Sequence, residues 1–322
     1  MITHPILEEA TAIVRRHFGP TPSYVWPLLA QAIGAEVWVK HENATPTGAF
    51  KVRGGLVYVD HLRRERPDVR GVVSATRGNH GQSLAYAGRH GGVPVVVVVP
   101  HGNSVEKNAA MAGFGAELVV HGTDFQEARE FSATLARDRG YEAVPPFHPH
   151  LVAGVATYAR EFFDTAGELD AVFVPVGMGS GVAGLMAVRD LLGLRTEIIG
   201  VVSDMAPAYA LSFEAGEVIT TGSAHTFIDG VACRQPDPVA FAAMRKGVSH
   251  FVRVSDDETA AAMRLMFRTT HQLPCPSGAC ALAALTQEKQ CWQGRRVGVV
   301  MTSSNVDTEV AAAVLSGVTP PP

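Results

Sequence analysis

A lysine set among small and aromatic residues, in Thr47-Gly48-Ala49-Phe50-Lys51-Val52-Arg53-Gly54, falls where a helix is expected to begin. There the helix dipole and desolvation both disfavour the ammonium form, so the amine becomes nucleophilic and able to form a Schiff base with a carbonyl. An ordinary solvated lysine is the competing reading of this octapeptide taken alone. Far downstream, the apolar run Val172-Phe173-Val174-Pro175-Val176 leads into Gly177-Met178-Gly179-Ser180-Gly181 and then a helical pattern over 182–192. Strand, glycine loop and helix in that order make a phosphate cup, because residues without bulk let backbone N–H groups converge on an anion at the positive helix end. The same glycines also serve as a tight turn, and the spacing of Gly177, Gly179, Gly181 and Gly184 is neither a dinucleotide fingerprint nor a Walker loop.

Two further polar segments each follow an expected strand. Thr76-Arg77-Gly78-Asn79-His80 comes after the run at 69–75, and Thr302-Ser303-Ser304-Asn305 after the run at 296–301. Both are thereby delivered to the carboxyl edge of a sheet, where open α/β folds bind ligands. Thr76 and the N–H groups after it could hold a carboxylate. Each segment also reads as a turn with a helix cap.

The elements that must carry these residues alternate. Strands are expected over 36–40, 69–75, 93–99, 116–120, 171–176 and 296–301, and helices over 48–66, 79–90, 105–114, 124–139, 153–166 and 182–192. Several strands are unbroken valine-rich runs, as in parallel sheets covered by helices on both faces. The stretch Val144-Pro145-Pro146-Phe147-His148-Pro149 marks a crossover between two lobes, and 216–237 reads as loops near a cleft mouth.

The length of 322 residues suits about two domains, and 47% hydrophobic with 18% charged residues is ordinary globular composition. A net charge of −4 without basic runs argues against a nucleic-acid binder, and the longest apolar run is too short to span a bilayer. With no secretory leader pattern and four cysteines lacking zinc-type spacing, a cytoplasmic location is expected.

Taken together, the four polar segments in this order resemble the fold-type II pyridoxal 5′-phosphate enzymes of the threonine/serine dehydratase and serine racemase family, over roughly residues 20–315. The resemblance implies a two-lobed α/β fold like that of tryptophan synthase β, with parallel sheets flanked by helices. Residues 1–46 and 147–322 would form the large cofactor-binding domain and 47–146 the small one. It implies that pyridoxal 5′-phosphate is the cofactor and that a homodimer forms. Matching the signature K-x-E-x-x-x-x-T-G-[SA]-F-K-x-R-G, the chain supplies Lys40, Glu42, Thr47, Gly48, Ala49, Phe50, Lys51, Arg53 and Gly54, which makes Lys51 the Schiff-base lysine beside Phe50. Thr76, Arg77, Gly78, Asn79 and His80 match the substrate-carboxylate loop, with Asn79 also at the cofactor 3′-oxygen. Gly177, Met178, Gly179 and Ser180, continuing into Gly181, match the phosphate loop, and Thr302 would face the pyridine nitrogen. The activity implied is β-elimination from a β-hydroxy-α-amino acid such as L-threonine or L-serine, giving a 2-oxo acid and ammonia.

The chain departs from the family in three places. Arg77 replaces the serine with which racemases protonate the opposite face of Cα, which disfavours racemisation; Arg77 either pairs with a substrate carboxylate or points to solvent. Cys275 replaces a glutamate and reads as a buried apolar cysteine. Asp204 is the only carboxylate in Val202-Ser203-Asp204-Met205-Ala206-Pro207-Ala208, so no family-type metal site is expected. Alternatives are a dehydratase specific for 3-phenylserine or 3-hydroxyaspartate, a serine racemase, and a non-catalytic pyridoxal-phosphate binding protein.

Overall fold

The valine-rich runs become strands, and a computed structural model describes their arrangement for residues 2–322. The chain opens with α1 (His4–Arg15), β1 (Ser23–Val25), α2 (Pro27–Ile33) and β2 (Glu36–His41). Both helices start at or next to proline, where the missing N–H is no loss. A βα series follows: α3 (Lys51–Glu65), β3 (Val72–Ala75), α4 (Asn79–Gly91), β4 (Val95–Val99), α5 (Val105–Gly113), β5 (Glu117–Val120), α6 (Phe125–Arg139) and β6 (Glu142–Ala143). Its strands form a four-stranded parallel sheet in the order β5-β4-β3-β6. All five valines of β4 are buried because helices cover both faces of that sheet.

The second series runs through α7 (Pro149–Ala166), β7 (Ala171–Pro175), α8 (Ser180–Leu191), β8 (Glu197–Ser203), α9 (Ala208–Ala215), α10 (Pro238–Gly247) and β9 (His250–Val254). It finishes with α11 (Asp256–Thr270), α12 (Pro276–Gln287), β10 (Arg296–Met301) and α13 (Thr308–Leu315). With the first two strands these make a six-stranded sheet ordered β1-β2-β10-β7-β8-β9. Alternation along β7 sends Ala171 and Phe173 into the core on one face and Val172 and Val174 into the core on the other. Neighbouring β7 and β10 therefore present their carboxyl ends side by side, which sets Gly177 and Thr302 near each other.

Several boundaries differ from the sequence expectation by one to four residues, as where the strand expected from 69 begins at Val72, and three differences have a clear physical reason. The helix expected from residue 48 begins at Lys51, because Ala49 instead forms a bridge to Ser303 and Gly48 takes a left-handed φ of 65°. The helix expected from 153 begins at Pro149, since a proline fits the first turn and His148 caps it by accepting from the His150 N–H. The short β1 pairs antiparallel with β2, Ser23 opposite Lys40, an edge addition that no apolar run announced. No helix among the described residues is long and apolar enough to cross a membrane.

Candidate active site

Backbone pairing stitches the start of α3 to the end of β10. The Phe50 N–H donates to the Thr302 carbonyl at 3.0 Å and the Ser304 N–H to the Gly48 carbonyl at 3.1 Å. A side chain at Gly48 would strike Asn305, whose Oδ1 would lie 2.6 Å from the added carbon. Lys51 is thus held as the first residue of its helix by contacts from the far end of the chain.

Around Lys51 lies one cavity, and every site residue expected from the sequence lines it. Phe50 and Lys51 form part of its wall with Thr76, Arg77, Gly78, Asn79 and His80, while Gly177, Met178, Gly179, Ser180, Gly181 and Thr302 complete the opposite side. The irregular segment after α9 does reach this place, contributing Asp229, Gly230, Ala232 and Cys233. Sequence reading missed Lys107, Asp229 and Ser277. Lys107 at the start of α5 forms an ion pair with Asp229 across the cleft, and nothing local in either segment signals that pairing.

Three helix N-termini, those of α3, α4 and α8, meet at the cavity, and none has a side-chain cap. Their unpaired N–H groups and dipoles create a field that favours anions. In the same place burial lowers the Lys51 pKa to about 8, and its Nζ lies 3.2 Å from Ser180 Oγ and 4.9 Å from the centre of the Phe50 ring. His80 is buried with its pKa down to about 3, through desolvation first and the Lys51 charge second, so it is neutral at physiological pH. Its Nε2 has no partner among the described residues, which leaves a donor or acceptor for a ligand to satisfy. Burial alone would lower the Lys107 pKa, but Asp229, Cys275 and Asp307 outweigh it and keep the ammonium charged.

The residues fit a phosphate-bearing pyridine aldehyde. Gly177 cannot carry a side chain, since a Cβ there would come within 2.3 Å of the Gly230 carbonyl oxygen. Gly179 sits at φ 95°, and its added carbon would meet Met244 at 2.4 Å. The loop thereby offers bare backbone at the N-terminus of α8, as phosphate requires. Asn305 Nδ2 donates to Asn79 Oδ1 at 2.8 Å and to the Thr47 carbonyl at 2.8 Å, which turns the Asn79 NH₂ toward the cavity as a donor for a phenolic oxygen. Cys275 is buried, as expected, and has a further part. Buried outside the cavity lining, it caps α12 by accepting from the Gly278 N–H at 3.3 Å, and Ser277 faces the cavity instead.

Beneath the site Arg53, fully buried, clamps two carboxylates. Its Nε lies 2.7 Å from Glu42 Oε2, and its Nη1 and Nη2 reach the two Glu161 oxygens at 2.9 and 2.8 Å. Lys40 Nζ adds 2.9 Å to Glu161 and 2.8 Å to the Thr21 carbonyl. The signature residues Lys40, Glu42 and Arg53 therefore tie β2, α3 and α7 together two residues from Lys51.

The lowered Lys51 pKa has a kinetic consequence. Below about pH 8 the neutral amine falls tenfold per pH unit, and above it the fraction saturates. The rate of pyridoxal phosphate uptake by protein freed of cofactor should therefore climb from pH 6 and level off near pH 8. Stopped-flow absorbance checks this; a rate still rising steeply at pH 10 would show Lys51 to be an ordinary lysine.

Residues 14–303 match the family described as pyridoxal-phosphate dependent enzyme. The chain is 32% identical over 301 residues to an L-threo-3-hydroxyaspartate ammonia-lyase of a Pseudomonas species, covering 92% of this chain and 93% of that one. It is 29% identical to an enzyme of the same name from Saccharomyces cerevisiae, covering 96% of this chain and 95% of that one. Among solved structures, the processed form of threonine deaminase isoform 2 from Solanum lycopersicum superposes with a TM-score of 0.88 at 26% identity, covering 98% of this chain and 95% of that chain.

Proposed function

Because the chain belongs to the family of pyridoxal-phosphate dependent enzymes, we propose that it is an ammonia-lyase converting a β-hydroxy-α-amino acid, L-threonine or L-serine in the first instance, to the 2-oxo acid and ammonia. The observation that carries this reading is the single cavity in which a lysine with a pKa of about 8 faces a bare-backbone glycine loop, Asn79 and the Thr302 hydroxyl. Bound at Lys51, pyridoxal phosphate supplies an electron sink that makes the Cα proton of an attached amino acid acidic.

The chain's own residues do the rest. The Gly177–Gly181 backbone would hold the phosphate, and Asn79 Nδ2 would donate to the ring oxygen. The Thr76–His80 backbone, at the positive end of α4, orients the substrate carboxylate. Lys51 Nζ would be the base that takes the Cα proton, with Ser180 Oγ, 3.2 Å away, as its hydrogen-bond partner. Thr302, which lines the cavity, would offer the ring nitrogen a hydroxyl and not a carboxylate, an environment that would leave that nitrogen unprotonated and favour loss of the β-hydroxyl over transamination. Neutral His80 cannot act as a proton donor to the leaving group from a charged state.

A second reading has its own support. Arg77 is exposed at the cavity lip and makes no ion pair among the described residues, so its guanidinium is available to a second substrate carboxylate. An acidic substrate such as 3-hydroxyaspartate fits that cation, and two relatives carry that name. The test is 2-oxo acid release from holoenzyme given L-threonine, L-serine, 3-phenylserine and L-threo-3-hydroxyaspartate. With the neutral substrates, Arg77→Ala leaves kcat/KM within about threefold. If 3-hydroxyaspartate is the preferred substrate, the same change costs its kcat/KM about 10–100-fold, the worth of one charge-assisted pair. Silence on all four overturns the ammonia-lyase assignment. The same reading includes the two-lobe division at 47–146, a homodimer, on the family resemblance, and a cytoplasmic location, in keeping with four free cysteines.

A further inference from the structure

Helices α3 and α7 cross closely at Gly54 and Gly154; a Cβ on Gly154 would come within 2.2 Å of the Arg53 carbonyl oxygen. One to three turns beyond that crossing the side chains of the two helices meet at the surface. His61 and Glu65 lie one turn apart on α3, with Nδ1 and Oε1 separated by 3.1 Å. His150, the second residue of α7, stacks its ring on His61 with centroids 3.9 Å apart and planes 8° from parallel, and its Nε2 is 3.9 Å from Glu65 Oε2. From this juxtaposition we propose that His61, Glu65 and His150 form a binding site for a divalent transition-metal ion of the zinc type.

One donor atom from each residue lies within 4.8 Å of the other two. A tetrahedral ion with ligands at about 2.0–2.1 Å holds them roughly 3.4 Å apart, so the set closes by about an ångström on capture. Exposed Glu65 supplies that movement freely. The lone pair of an imidazole lies in its ring plane, so one of the two parallel rings must also turn; His150, at the helix end, has the room. Two imidazoles and a carboxylate are the donor set that zinc, nickel and copper prefer, while magnesium seeks oxygen alone. Burial, then the neighbouring His61 and His148 rings, lower the His150 pKa, which keeps this ligand neutral and able to coordinate at pH 7. Arg64 Nη2 approaches His61 Nδ1 at 3.3 Å, but Glu9 and Asp60 already neutralise it at 2.7 and 2.8 Å. A water completes the coordination, as in three-ligand zinc sites.

The cluster sits ten residues along α3 from Lys51, roughly 15 Å away, and takes no part in the reaction proposed above. An ion there would pin α3 to α7, and so hold the helix whose first residue is the reactive lysine.

Equilibrium dialysis of metal-stripped holoenzyme against Zn²⁺, followed by metal analysis, should find one saturable site per chain and a rise of a few degrees in Tm, and Mg²⁺ should give neither. His61→Ala and His150→Ala should each abolish that site and its Tm shift while leaving the bound-cofactor absorbance unchanged. Cys291→Ser, which removes the exposed thiol, should retain it. Absence of a stoichiometric site, or a site that survives both histidine substitutions, overturns the proposal. Should either alanine variant fail to fold, His61→Gln and His150→Gln give the same two outcomes.

Discussion

Lys51→Ala is expected to abolish turnover and the visible absorbance of bound pyridoxal phosphate together, while the protein remains folded. Two losses combine in that one change. On the proposed reading the covalent anchor disappears, so the cofactor would be kept only by the Gly177–Gly181 backbone, Asn79 and Thr302. The base that takes the Cα proton goes as well, which by itself costs roughly 10²–10⁴-fold in rate. Folding is spared because the Lys51 ammonium is disfavoured by burial, with its pKa lowered to about 8, and pairs with no carboxylate. Retained 2-oxo acid release by the variant at a tenth of the wild-type rate or more would remove Lys51 from the chemistry and, with it, the proposed mechanism.

The second large effect is on stability. Arg53→Ala leaves Glu42 and Glu161 buried, with only Lys40 and the partly exposed Arg15 to balance them. Burial would raise the Glu161 pKa, but Arg53 and Lys40 outweigh it and hold that carboxylate charged. Stripping one partner from a buried ionic network costs about 3–5 kcal/mol, because a desolvated charge is left without its counterion. An unfolding free energy at pH 7 smaller by about that 3–5 kcal/mol, read from a lowered denaturation midpoint at unchanged slope, is the expected result. Arg53→Lys should fall between, since a single ammonium cannot bridge both carboxylates as the guanidinium fork does. An unchanged midpoint in Arg53→Ala would mean that water or rearranged side chains satisfy Glu42 and Glu161 without the arginine.

The four chemical segments are legible in the sequence because each depends on local physics. A glycine-rich turn between an apolar strand and a helix presents backbone donors wherever it occurs, and a strand followed by small polar residues delivers them to a sheet edge. Type and order of the elements that carry these segments were equally legible, since short valine-rich runs suit strands buried on both faces, whereas the edge strand β1 had no such signal. Boundaries were less so: residues 48–50 could have been helix, and only the bridge from Ala49 to Ser303 made them otherwise.

What the tertiary structure alone decided is which distant groups meet. Arg53 and Glu161 are 108 residues apart, Lys107 and Asp229 are 122, and Asn305 orients Asn79 across 226. No periodicity or spacing encodes such pairs, because the energy of a buried charge depends on what the folded chain places within a few ångströms of it and on the water it excludes. Cys275 shows the same division. Its sequence position marks a departure from the dehydratase pattern, but its part as the cap of α12, set behind Ser277, follows from where α12 docks against the end of β10. The residue types in the motifs determined which chemistry was available to this chain; packing determined that Lys51, buried without a carboxylate partner, has its pKa lowered to about 8 at the cavity and that Arg77 stands exposed at its lip.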